Sequence, residues 1–270
     1  MKRLTITLLA LFCSSTAWAE EQDDAPPLWE LGIAVGGASL PHYMGSDERY
    51  LVGAPVPYVI YRGQRMRIDR SGITRKLFGF NNINIDASLG VGLPVRNTNR
   101  ARAGMPELKF SFEIGPRLNW QIIEEEDRKL MLRLPWRGVV DTSGSWLGWV
   151  VEPELRLEQQ ISEQLQLNLA TGLLYGSTAY HKHYYDVAPA YVTATRSAYQ
   201  AARGLHSLSA TASLRYAISD SLNLFSVLRY RNLSAGVITN SPLVKDKNYV
   251  AVAAGLAWSF WSSERRGSAD

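Results

Sequence analysis

The feature that most constrains this chain is period two. Between residues 108 and 122, Leu108, Phe110, Phe112, Ile114, Leu118, Trp120 and Ile122 alternate with Lys109, Ser111, Glu113, Arg117, Asn119 and Gln121. Alternation at every second residue places one set of side chains on each face of an extended strand. The pattern recurs along the chain, at 29–39, 50–61, 65–70, 72–78, 82–94, 129–139, 147–159, 164–175 and 249–260. A further hairpin covers 207–231, broken at Ser219-Asp220-Ser221. Counting that hairpin as two, the pattern predicts about twelve strands, with ten as the alternative count. Several span ten residues or more, close to what a tilted strand needs to cross a bilayer and longer than strands of soluble domains commonly are.

Connection lengths give an independent reading. The even-numbered connections, 62–64, 79–82, 123–128, 160–163 and 219–221, are short. The odd-numbered ones, 40–49, 95–107, 140–146, 176–205 and 232–248, are longer, with a tight exception at 70–72. Short periplasmic turns alternating with longer outer loops is the layout of an outer-membrane barrel, and an even count leaves both termini in the periplasm. Trp120, Trp136, Trp149, Tyr216, Tyr230 and Trp258 fall toward strand ends on the apolar face, where interfacial girdles lie. The expectation is an all-β, closed, antiparallel transmembrane barrel over 29–260. Its rival is a periplasmic sandwich with the apolar faces turned inward.

The first residues agree with export. Lys2 and Arg3 precede the apolar run Leu4–Phe12, and Ala17-Trp18-Ala19 forms an A-x-A site, the three parts of a secretory signal. Cleavage is predicted after Ala19, giving a signal at 1–19, a short periplasmic segment at 20–28, and a polar tail at 261–270. Phe12 is bulky where lipoprotein signals place a small residue, so Cys13 reads as part of the signal. With Cys13 removed the mature chain has no disulfide or thiolate chemistry. Removing Lys2 and Arg3 from the 29 basic residues leaves 27 against 25 acidic, so the overall charge gives no reason to expect nucleic-acid binding.

Three segments resemble the MltA-interacting protein/OmpV family of outer-membrane proteins. The first is the Gly-rich opening with Pro41, Tyr43, Gly45 and Ser46. The second is His183-Tyr184-Tyr185-Asp186-Val187, with Asp186 where the family usually has Gly. The third runs from Leu228 to Phe260 and includes Asn240-Ser241-Pro242-Leu243-Val244. The resemblance spans about 30–260. It departs at the end, where ten residues follow Phe260, and in the loosely matching 186–204. It implies a non-enzymatic scaffold in the Gram-negative outer membrane that brings a lytic transglycosylase together with a bifunctional murein synthase. Other members are described as surface antigens or adhesins. Outer-membrane lipid and the barrel-assembly machinery are the remaining implied partners; no cofactor is expected.

The polar faces carry a candidate lumen charge network: Glu113, Arg117, Arg133, Arg137, Glu152, Glu154, Arg156, Glu158, Arg215, Arg229 and Arg231. Paired carboxylates can perform acid–base work or bind Ca²⁺. Here arginines lie on neighbouring strands, and inward charges must find partners, so the network reads as lumen filling, with a solute-conducting constriction as the alternative. His181-Lys182-His183 has no acidic neighbour to complete a metal site and reads as solvated loop. No Gly-x-Ser-x-Gly elbow, phosphate-binding loop or His-Glu-x-x-His occurs, so a barrel hydrolase has no positive support. The acidic turn Glu124-Glu125-Glu126-Asp127 reads as a solvated turn.

Overall fold

The computed structural model of the protein describes residues 26–63, 66–69, 72–80 and 82–267. The predicted signal, its cleavage after Ala19 and Cys13 lie outside these residues.

The alternating stretches form thirteen strand segments in one antiparallel sheet. They are β1 (Trp29–Pro41), β2 (Arg49–Arg62), β3 (Met66–Asp69), β4 (Gly72–Phe80), β5 (Ile83–Gly92), β6 (Ser111–Glu124) and β7 (Arg128–Asp141). After these come β8 (Trp146–Val151), β9 (Glu154–Gln160), β10 (Leu165–Gly176), β11 (Gly204–Ala217), β12 (Leu222–Asn232) and β13 (Asn248–Ser262). Sequence neighbours pair except β8 and β9, which lie end to end, and β13 pairs with both β12 and β1. The β1–β13 seam is tight. A Cβ on Gly36 would strike the carbonyl of Ala254 and lie 2.8 Å from Gly255 Cα.

The expected strand at 147–159 is interrupted. Glu152-Pro153 separates β8 from β9, because proline has no N–H to give to the ladder. Both pieces pair with β7 on one side and β10 on the other. The break is bridged by Glu152 N–H donating to Pro135 O (3.2 Å) and Leu173 N–H to Pro153 O (3.1 Å). The expected strand at 108–122 begins later, at Ser111. Leu108 instead pairs with Val95 in an isolated bridge and is buried among the loops.

Face assignment follows the alternation, with apolar side chains outward. On β6, Phe112, Ile114, Trp120 and Ile122 are exposed, whereas Ser111, Arg117 and Asn119 are buried. Val35, Val56, Val91, Leu134, Leu214, Leu224, Leu256 and Trp258 are likewise exposed, while Asp86, Arg133, Asn223 and Arg231 are buried. A soluble sheet does the opposite, since apolar burial drives its folding.

At the turn end the two ends of the described chain meet. Leu28 N–H donates to Arg265 O (2.8 Å), Ser263 N–H to Trp29 O (2.9 Å) and Gly267 N–H to Pro26 O (2.8 Å). Trp29 and Trp261 stack edge to face at 5.4 Å. Arg62 pairs with Glu30 at 2.6 Å and donates to Pro27 O at 2.9 Å, fixing this stub to β2.

Candidate functional site

The inward charges pair across strands in three groups. In the first, Arg117 holds Asp86 in a two-pronged pair, Nε–Oδ1 and Nη2–Oδ2 both at 2.8 Å. Antiparallel register sets Arg117 opposite Asp86 and Asn119 opposite Asn84. Asn119 donates to Asp86 (3.0 Å) and to Asn84 (2.9 Å).

The second group centres on Glu152. Arg137 donates from Nε to Glu113 (2.8 Å) and from Nη2 to Glu152 (2.6 Å). Arg231, on β12, reaches the other oxygen of Glu152. The chain Glu113–Arg137–Glu152–Arg231 thus joins β6, β7, the β8–β9 junction and β12, which are not all sheet neighbours. Lower on the same wall, Arg133 and Arg156 share Glu154 at 3.0 and 3.2 Å, and Arg156 lies 3.8 Å from Glu158. Of the predicted candidates, Arg215 is half-buried and Arg229 exposed. Asp86, Asn84 and Asn119 were not among the candidates, although their places on polar faces and the strand register were the available signal.

Above the network the loops form a cap with its own core. Tyr43, Val95, Leu108, Tyr185, Ala201, Leu233 and Ile238 are buried together, drawn from every long connection except 142–145. The 177–203 connection, within the long stretch predicted at 176–205, begins with α1 (Thr178–Tyr185). Ser177 caps this helix: its Oγ accepts Tyr180 N–H (3.2 Å) and Trp149 N–H (3.0 Å), satisfying a donor that a helix start leaves unpaired. Gly148, at φ +110°, lets the helix seat on β8, because a Cβ there would meet Ser177 Oγ and come 2.7 Å from Tyr180 N. Tyr180 then packs against Val139, Leu147, Val150 and Leu174 on the inner wall.

The histidines correct the expectation of a solvated loop. His181 is fully buried. Its Nδ1–H donates to Ala202 O at 2.6 Å, and its ring lies 5.5 Å from that of buried His206. The reason is tertiary: α1 turns this face toward the wall, where Tyr180, Tyr185 and His206 enclose it. Burial pushes the His181 imidazolium pKa down from its usual value. His183 falls to about 4, first through burial and then through the nearby Arg102 charge, with Asp141 acting the other way. Arg102 donates to Tyr184 O (2.9 Å) and Pro106 O (3.3 Å), tying α1 to the 93–110 connection. Among the described residues, no group of three His, Cys, Asp or Glu side chains is placed to hold a metal ion.

The three sequence segments that carried the resemblance converge in this cap. Tyr43 Oη donates to Leu243 O (2.7 Å) and Tyr185 Oη to Met44 O (2.7 Å), while Ser241 Oγ donates to Tyr185 O (2.8 Å). Because the Tyr185 hydrogen goes to Met44, His206 Nε2 (2.8 Å) is the donor to Tyr185 Oη, and its Nδ1 accepts from Ser207 Oγ (3.0 Å). Gly45, at φ +103°, places its carbonyl to accept Lys245 N–H at 2.7 Å. Burial drives the Tyr43 phenol pKa well up. Asp186 Oδ1 accepts Ala201 N–H (2.5 Å) where α1 ends, closing the base of the long connection with the Val187–Tyr199 bridge.

Matched solved structures include an outer-membrane channel from Pseudomonas putida F1, at 10% identity and TM-score 0.48, over 88% of this chain and 98% of that one. A bacterial polysaccharide outer membrane secretin matches at 14% identity and TM-score 0.40, over 88% and 100%. The outer membrane protease OmpT from Escherichia coli matches at 9% identity and TM-score 0.33, over 86% and 96%. No curated protein matches the chain. The sequence model described as MltA-interacting protein MipA matches residues 33–260, and the chain belongs to that family.

Proposed function

We propose that the protein is a closed outer-membrane β-barrel of twelve staves, β8 and β9 counting as one, that acts as a non-enzymatic scaffold for peptidoglycan-remodelling enzymes. A cleaved signal peptide at 1–19 delivers it. Strand pairing that returns from β13 to β1 and from β10 to β11 supports closure, and closure leaves no unpaired edge in hydrocarbon. The outward apolar face supports contact with acyl chains.

The observation that carries the scaffold reading is the sealed loop end. Helix α1, the packed loop core and the Glu113–Arg137–Glu152–Arg231 chain stand across the mouth. A barrel closed in this way offers surfaces rather than a passage, which disfavours the channel reading. The family description names interaction with MltA; a lytic transglycosylase is accordingly the first partner, with a murein synthase the second. Both would bind at the turn end, where the terminal stub and the short turns face the periplasm.

The test is reconstitution. Purified mature protein in detergent, immobilised by an engineered outer-loop tag, should retain a purified lytic transglycosylase and, in its presence, a bifunctional synthase. Failure to retain either enzyme, together with steady single-channel openings in a planar bilayer, would overturn the proposal in favour of a pore.

A further inference from the structure

A cavity of about 410 Å³ lies in the cap, between four separate connections. Asp47, Arg100, Thr193, Thr195, Arg196 and Lys245 supply its polar lining. We infer that this cavity binds a phosphorylated sugar.

The argument begins with charge. Three cations face one carboxylate, and that carboxylate is occupied: Arg100 Nη2 lies 3.4 Å from Asp47, and its Nε 3.3 Å from Glu48 outside the cavity. Arg196 is 7% exposed. Its Nε donates to Tyr191 O (2.9 Å), and its Nη1 donates to Ala101 O and Ala103 O, both at 3.0 Å. Those bonds hold the guanidinium plane still, and no described residue accepts from Nη2. A buried guanidinium with only carbonyl partners has no counter-charge in contact with it, and a phosphate is matched to its planar donor set.

The remaining groups are held around it. Thr193 and Arg196 exchange backbone bonds at 3.0 and 3.3 Å across a tight turn, keeping Thr193 and Thr195 on the cavity wall. Lys245 is anchored by its backbone to Gly45, and its exposed ammonium makes no bond to any described residue. The volume exceeds what one phosphate fills and falls within the range of small-molecule sites. Hydroxyl-bearing walls suit a sugar ring. The same chemistry is available from a soluble sugar phosphate or from a phosphorylated glycolipid headgroup beside the barrel.

The experiment uses the full mature protein in two arms. In detergent, glucosamine 1-phosphate is titrated calorimetrically, with glucosamine as the uncharged control. In nanodiscs, lipid A is compared with its dephosphorylated form. Saturable binding that requires the phosphate, in either arm, and that weakens at least tenfold in both Lys245→Glu and Thr195→Val supports the site; the responding arm identifies the source. Both variants sit at exposed positions, and heat-modifiable migration on gels verifies that each still folds. Absence of phosphate-dependent binding in both arms, or equal binding by the wild type and Lys245→Glu, overturns the inference.

Discussion

Replacing Glu152 by Gln tests whether the inward charges are structural. Glu152 accepts from Arg137 at 2.6 Å and from Arg231 on its second oxygen. The side chains of Arg137, Glu152 and Arg231 are 11%, 17% and 7% exposed. In Glu152→Gln, Arg137 keeps Glu113 at 2.8 Å. Arg231 loses its one carboxylate, and its Nη1 already has no partner among the described residues. Removing one member of a buried ion pair costs about 3–5 kcal/mol, most of it from the charge left behind. Glu152→Gln should therefore destabilise the barrel by about 3–5 kcal/mol. Adding Arg231→Gln removes the stranded charge, so the double variant should cost about 1–3 kcal/mol less than the two singles summed. The exposed Glu125–Arg128 pair, with side chains 52% and 45% exposed, is the control: Glu125→Gln should cost about 0–1 kcal/mol. Urea unfolding of vesicle-folded protein, followed by tryptophan fluorescence, measures all four. A cost below about 1 kcal/mol for Glu152→Gln, or strict additivity with Arg231→Gln, would refute the reasoning.

Other expectations separate the wall, the seam and the cap. Ile114 points outward from β6, so Ile114→Arg should lower folding stability in vesicles by about 2–4 kcal/mol; an unchanged urea midpoint would place that face in water. Gly36→Val should reduce the heat-modifiable fraction, with an overpacking cost of about 1–3 kcal/mol, because its Cβ strikes the β13 backbone. Gly37→Val should not, since the nearest atom to a Cβ there is 3.5 Å away; equal behaviour of the two would contradict the seam. His183 predicts acid loosening of the cap. Above about pH 6.5 the ring is neutral whether the loop is docked or released. As pH falls toward about 4 the released loop takes up a proton that the docked loop resists, so docking weakens; below that both forms are protonated and the loss stops growing. Protease cleavage within 177–203 should quicken between pH 7 and 4.5, and His183→Gln should reduce the change, leaving the part due to buried His181 and His206.

Period-two alternation is written in consecutive residues, so the sequence alone determined roughly where the strands lie and which residues share a face, but not the break at Glu152-Pro153 or the late start at Ser111. Phe112 and Arg117 fall on opposite sides of β6 whatever they contact. The stretch at 72–78 was placed in the same way and falls within β4. Partner identity was not available in that way. Arg117 finds Asp86 and Arg231 finds Glu152 because sheet register and curvature bring residues 31 and 79 positions apart within bonding distance. The loops show the limit more sharply. His181 sits in a polar tripeptide that reads as solvated, yet it is buried because α1 docks on β8 while Tyr43, Leu233 and Ile238 pack with Tyr185. Those residues carry no periodic signal; their burial is decided by chain segments far apart in sequence closing over the same mouth, and only the tertiary structure brings them there.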